Sequence, residues 1–155
     1  MIQGLEQLAE LEAENLIGAH GPPFSDQKEI KEIIINYRDT LQFLWDQTVR
    51  CANKGLTLNE IISTIELPAR FKDHYTTQQL YGVVEHHVRQ IYTGLFGWFD
   101  EDEANLFPVP SPERSRRLIE GFGGIEKIRV TIDEALNEED YRWAIELSSW
   151  LVRSD

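Results

Sequence analysis

Residues 80–99 read LYGVVEHHVRQIYTGLFGWF, the most apolar and most aromatic stretch of the chain. Apolar side chains recur in it every three or four residues, which predicts an amphipathic helix from about Thr77 to Leu95. The two adjacent histidines, His86 and His87, mean that the segment is either a buried core helix or one wall of a site. The expected buried face comprises Tyr81, Val84, Val88, Ile91, Tyr92 and Leu95.

The composition is that of a folded, acidic domain. Of the 155 residues, 41% are hydrophobic, which suffices for one ordinary domain with a core. Acidic side chains outnumber basic ones by 27 to 15, for a formal net charge of -12. Because this charge repels phosphate backbones and anionic lipid, we expect no nucleic-acid and no membrane partner. No apolar run approaches ~18 residues, so the sequence predicts no membrane span.

A second predicted helix is unusually long and extends from about Asp26 to Asn53. Ser25 or Asp26 can cap its first turn, and Lys54-Gly55 closes it with glycine in the C-cap role. At ~1.5 Å per residue this helix would be roughly 40 Å long, more than a compact domain of this size needs. We therefore expect its stripe to meet a second chain. The stripe consists of Ile30, Ile33, Ile34, Tyr37, Leu41, Leu44, Trp45, Thr48 and Cys51 or Ala52.

The remainder of the chain also predicts helices. Thr57-Leu58-Asn59-Glu60 is a capping box that starts a short helix ending before Pro68, and a polar loop follows at about 69–75. The fold class is therefore all-α, a bundle of six to seven helices. Three further helices are expected at about 113–121, 125–137 and 139–153, and the last two resemble a tetratricopeptide hairpin.

The N-terminal segment differs from the rest. LEQLAELEAE at 5–14 predicts a short helix, and NLIGAH at 15–20 predicts a buried strand that Gly21-Pro22-Pro23 terminates. A lone strand has no partner for its backbone groups. We therefore interpret residues 1–24 as the helix-strand remnant of an α/β domain, followed by a helical domain at 25–155.

Three histidines are candidate site residues. His20 ends the predicted strand, where α/β folds place ligands, or it is a loop histidine without a role. His86 and His87 diverge by ~100° around a helix and lack the i, i+4 spacing of a helical zinc pair. One of the two is then expected to be hydrogen-bonded in the core and the other solvated.

Several of these segments together resemble the dimerisation domain of the alkylsulfatases, which are metallo-β-lactamase-like hydrolases. AHGPPFSDQKEI at 19–30 is similar to the junction between the catalytic domain and the helical region of that family. The resemblance covers nearly the whole chain. It rests on YGVVEHHVRQIY at 81–92, GLFGWFDEDEANLFPVP at 94–110, Gly123-Gly124 and DYRWAIEL at 140–147, in this order and spacing.

The resemblance implies that residues 1–24 end a metallo-β-lactamase-like catalytic domain and that residues 25–155 form a helical dimerisation domain. It implies a homodimer, with the interface on the long helix and the 80–99 arm. The family holds two zinc ions with an H-x-H-x-D-H motif that this chain lacks. This chain alone is therefore expected to bind no zinc stably and to need the catalytic domain for activity.

Three residues acquire expected roles from the resemblance. His20 matches a late histidine of the family and would be one zinc ligand of the intact enzyme. His86 would be the proton donor or a sulfate contact, assisting the leaving group while metal-bound hydroxide attacks the sulfate ester. Trp98 matches an aromatic position near the same site and would contact the substrate.

Two other functions are compatible with the residues. The chain could be a stand-alone helical, tetratricopeptide-like interaction module, which would be a folded monomer with an exposed groove. It could also be a self-contained metalloenzyme that uses His20 and His86. Sub-stoichiometric zinc in the purified chain would contradict the second alternative.

Overall fold

The computed structural model describes residues 1–80 and 82–154, and its regular elements there are helices. The predicted all-α fold class is confirmed. The chain divides into two compact units, residues 1–102 and residues 103–155. The α-helices of unit 1 are α1 (Ile2–Glu10), α2 (Gln27–Ala52), α3 (Leu58–Thr64), α4 (Ala69–Lys72) and α5 (Val84–Phe96), and those of unit 2 are α6 (Ser111–Phe122), α7 (Ile125–Asn137) and α8 (Tyr141–Arg153).

The long helix α2 forms as the sequence predicts. The Asp26 carboxylate caps it by accepting a hydrogen bond from the backbone N–H of Glu29 at 2.7 Å. Gly55 follows its end with φ of 79°, a conformation that an L side chain rarely adopts. With 26 residues the helix is roughly 40 Å long. No helix in the described part of the chain is long and apolar enough to cross a membrane.

The core of unit 1 lies where α2, α3 and α5 meet. The predicted capping box of α3 is present: Thr57 accepts from the backbone N–H of Glu60, and the Glu60 carboxylate accepts from that of Thr57. Cys51 is buried in this core. The core thus fixes α5 against two other helices. Its buried members are Leu44, Cys51, Leu58, Ile61, Ile65, Val84, Val88 and Tyr92.

The segment before α5 corrects the sequence prediction in two ways. The expected loop at 69–75 contains the one-turn helix α4, which raises the number of α-helices among the described residues to eight. The helix expected from Thr77 begins only at Val84, because the buried Thr77 hydroxyl donates to the Phe71 carbonyl and so holds this residue outside the helix. Tyr81, expected on the buried face, lies outside the described residues.

The strand predicted at 15–20 is wrong. Leu16 and Phe24 form one isolated antiparallel bridge, with two backbone hydrogen bonds of 2.9 Å, and no ladder extends from it. Pro22 and Pro23 lack the backbone N–H that a ladder needs, and Ile17 is exposed. The helix α1 packs on α2 within unit 1. The division of the longer protein near residue 24 stays a prediction.

Unit 2 is a three-helix arrangement in which α6, α7 and α8 pack against one another. Asp140 caps α8 by accepting from the backbone N–H of Trp143 at 3.1 Å. Ile119, Ile128 and Leu147 form its buried centre. Phe122, Trp143 and Trp150 surround that centre, with the two tryptophan rings edge-on at 5.8 Å. The helix α7 has the predicted bounds, α8 begins two residues later than predicted, and the likeness of the pair to a tetratricopeptide hairpin stays a prediction.

Candidate functional site

The first turn of α5 presents His86 to solvent. Val83 at the N-cap makes no side-chain cap, and the Gln79 amide oxygen instead accepts from the backbone N–H of Val84 at 2.9 Å. His86 follows within this turn, and its side chain is exposed. The start of α5 is therefore fixed by Gln79 and by the core contacts of Val84, so that His86 projects from a fixed helical turn.

His87 points in another direction and is half-buried. Its ring lies in a cleft of about 510 Å³ that Tyr37 of α2 and Tyr75 also line. Burial lowers the pKa of His87, and the neighbouring charge of His86 lowers it further. One of the two histidines is therefore solvated and the other faces inward, as expected. The His87 ring makes no hydrogen bond to the residues that the structure describes, and it lies close to the backbone of Gly82.

Trp98 lies beyond the other end of α5. This helix has 13 residues and is roughly 20 Å long, with His86 in its first turn and Trp98 after its last. Trp98 is 71% exposed, and its ring packs edge-on against Phe99 at a centroid distance of 5.7 Å. His86 and Trp98 therefore flank opposite ends of one helix.

His20 is exposed in the bend between Leu16 and Phe24. Within residues 1–80 and 82–154, no three His, Cys, Asp or Glu side chains come together to hold a metal ion. The described residues of this chain therefore do not fit a zinc centre on their own, and His20 is at most one ligand of a larger site.

Large apolar side chains are exposed on α2 and near the end of α5. Trp45 of α2 is 40% exposed and borders a cleft of about 350 Å³ together with Ile91 and Gly94 of α5. Leu95 and Phe96, at the end of α5, are also exposed. We call Trp45, Leu95 and Phe96 the apolar ridge. The sequence placed Trp45 in the same apolar stripe of α2 as Ile34 and Leu41, and the structure shows that Trp45 is exposed while the other two are buried.

The helical region matches a known protein family. Residues 57–155 match the family model for alkyl sulfatase dimerisation. A linear primary-alkylsulfatase from Pseudomonas sp. (strain ATCC 19151) is 38% identical over an alignment of 156 positions, which covers 99% of this chain and 29% of that protein. An alkyl/aryl-sulfatase from Saccharomyces cerevisiae is 30% identical over 140 residues, covering 90% of this chain and 22% of that protein.

Solved structures agree with the sequence comparison. The stereoselective inverting sec-alkylsulfatase Pisa1 from Pseudomonas sp. superposes with a TM-score of 0.79 at 30% identity, covering 97% of this chain and 24% of that one. The chain spans less than a third of the length of each of these relatives. The resemblance inferred from the sequence is confirmed, and the chain belongs to the alkyl sulfatase dimerisation family.

Proposed function

We propose that this chain is the dimerisation segment of a zinc-dependent, alkylsulfatase-like hydrolase, and that two copies associate through the apolar ridge. The observation that carries the proposal is Trp45, a large aromatic side chain exposed in the C-terminal half of the 26-residue helix α2. Exposed aromatic side chains beside a cleft are typical anchors of protein interfaces. A two-fold dimer would use the same patch of both copies.

The burial of α2 decides which of its residues can make this contact. Ile34 and Leu41, which the sequence placed at the interface, are only 6% and 9% exposed and pack inside the chain. Glutamate at either position would leave a buried charge and unfold unit 1. Trp45 and Phe96 have free faces, so they can bind a partner without rearrangement of the core.

Light scattering on a size-exclusion column tests the dimer. We expect the 155-residue chain to be a dimer and Trp45→Glu to be a folded monomer with unchanged helical circular dichroism. Ile145→Glu is the matched control, because Ile145 is an exposed aliphatic residue of unit 2 outside the ridge. A wild-type monomer would instead support the stand-alone interaction module, and a dimeric Trp45→Glu would place the interface elsewhere.

For the longer protein we propose sulfate-ester hydrolysis, supported by the names of the relatives. His86, exposed on the first turn of α5, would contact the sulfate group or donate a proton to the leaving oxygen. Trp98, at the opposite end of the helix, would contact the alkyl part of the substrate. His20 would be one zinc ligand, with the others supplied by residues outside this chain.

Kinetics of the full-length enzyme separate these roles. His86→Gln is expected to lower kcat by about 100-fold or more, the usual loss for a proton donor. Trp98→Ala is expected to raise KM for a long alkyl sulfate more than for a short one. His20→Ala is expected to lower the zinc content. Unchanged kcat and unchanged KM in His86→Gln would remove this residue from the reaction, whatever the oligomeric state.

A further inference from the structure

A further cleft lies within unit 2 and contains no residue of the apolar ridge. It has a volume of about 400 Å³ and lies where the segment before α6 and the first turns of α6 face the C-terminal half of α8. This volume is within the usual range of small-molecule sites. Arg114 of α6 and Arg153 of α8 both line it.

The two arginines are available for a ligand. The other arginines of α6, Arg116 and Arg117, both pair with Glu113. Arg114 and Arg153 make no ion pair with any residue in the described ranges 1–80 and 82–154. Guanidinium groups bind oxyanions through paired N–H donors, and two from different helices can hold one anion.

Ser115 points to the same conclusion. This residue is only 4% exposed, yet it lines the cleft. Its hydroxyl forms no side-chain hydrogen bond with the part of the chain that the structure describes. The described residues contain no fully buried side-chain N or O atom that lacks a hydrogen-bond partner. The unpartnered Ser115 oxygen is therefore not fully buried. The Ser115 hydroxyl therefore opens onto the cleft as a buried donor that a ligand can satisfy.

The charge and the remaining walls define the class of ligand. Glu146 also lines the cleft, so two arginines and one carboxylate leave a net charge of about one positive unit, which suits a monoanion. Pro108, Leu118 and Trp150 form apolar walls. An oxyanion head alone would leave these walls in water, whereas an attached alkyl chain would cover them.

We propose that this cleft binds a monoanionic amphiphile, an oxyanion head group on a short alkyl chain, with Arg114, Arg153 and Ser115 at the head. An alkyl sulfate and a fatty carboxylate share this chemistry. The proposal does not depend on the proposed dimer or on hydrolysis, because it uses only residues of unit 2.

Isothermal titration calorimetry of the 155-residue chain tests the proposal, with octyl sulfate and octanoate below their micelle concentrations. We expect saturable binding of one molecule per chain for at least one of the two. Octanol, which lacks the charge, and inorganic sulfate, which lacks the chain, should each bind at least about tenfold more weakly. Tighter binding of octyl sulfate or of octanoate identifies the head group that the arginines prefer.

Matched variants locate the binding. Arg114→Gln combined with Arg153→Gln should weaken binding about tenfold or more, and Ser115→Ala should weaken it by a smaller factor. The control is Arg129→Gln combined with Lys127→Gln, because both residues lie on α7 outside the cleft and the pair removes the same two positive charges. Circular dichroism checks that each variant is folded. Non-saturable binding, equal binding of octanol, or an equal loss in the control variant would overturn the proposal.

Discussion

The imidazole of His87 lies directly against the backbone of Gly82. A Cβ atom placed on Gly82 would be only 2.8 Å from Nε2 of His87, closer than such atoms approach in folded proteins. Gly82 is needed here for space, since no positive φ is recorded for it. This contact holds the His87 ring in the cleft between α2 and α5.

Gly82→Ala should therefore destabilise the chain by about 1 kcal/mol, because the added methyl group displaces the His87 ring. The measurement is urea denaturation followed by circular dichroism. The cost should largely disappear in a His87→Ala background, where the space is free, so the double-mutant cycle should show coupling of about 0.5 kcal/mol or more.

The control for this cycle is Gly121→Ala in α6. A Cβ on Gly121 meets nothing within 4 Å, and alanine is the better helix former, so this change should stabilise the chain by up to ~1 kcal/mol. Additive effects of Gly82→Ala and His87→Ala would show that the two residues do not touch in solution.

The lowered pKa of His87 predicts a pH dependence of stability. Its causes are burial first and the charge of His86 second. Because the folded-state pKa lies below the ordinary value of 6.5, the unfolded chain binds more protons as the pH falls through this range. At pH 7.5, His87 therefore does not lower the free energy of unfolding. Below about pH 6.5 it lowers this free energy increasingly, and the loss is complete once the pH is below the folded-state pKa.

Histidine Cε1–H NMR titration measures this directly. We expect His87 to titrate below 6.5 in the wild type and to move part of the way back up in His86→Gln, which removes the second cause. Denaturation at pH 7.5 and 5.5 should show a smaller loss of stability for His87→Gln than for the wild type. Titration of His87 at or above 6.5 would contradict the assignment.

The local signals of the sequence predicted the helices well where a cap decides them. Asp26 and the pair Thr57–Glu60 act within three residues, so the sequence alone contains the whole interaction. The predicted start of α5 at Thr77 was wrong, because the actual start depends on a contact between residues that are far apart in the sequence. Thr77 is held by Phe71, and its hydroxyl also accepts from Nδ2 of the buried Asn36 on α2, which no periodicity reveals.

The candidate site also has features that the sequence predicted and features that only the packing of the helices shows. Resemblance supplied His20, His86 and Trp98, and these roles stay predictions. The cleft that His87 lines and the exposure of Trp45 appear only once α2 and α5 are packed together. The cleft of unit 2 depends on Arg114 and Arg153, which are far apart in the sequence and on different helices. Such a pairing has no short-range pattern.

The capping box of α3 provides a local stability test. Thr57→Ala removes both the hydroxyl that accepts from the Glu60 backbone and its bond to the Glu60 carboxylate. We expect a loss of about 1 kcal/mol in the free energy of unfolding, the usual value of an N-cap. Thr131→Ala is the control, because Thr131 lies within α7 and only bonds back to the Lys127 carbonyl. An equal effect of both changes would mean that the cap contributes nothing in solution.

The buried Cys51 tests the packing of unit 1. It is 6% exposed in the core cluster of α2, α3 and α5. Cys51→Ser should be less stable than Cys51→Ala, because the serine hydroxyl enters an apolar site. The difference should be only about 1 kcal/mol, since a helical serine can donate to the carbonyl four residues earlier, as Thr48 does to Leu44. Urea denaturation of the two variants measures it. A serine variant as stable as the alanine variant would place Cys51 in contact with water rather than in the core.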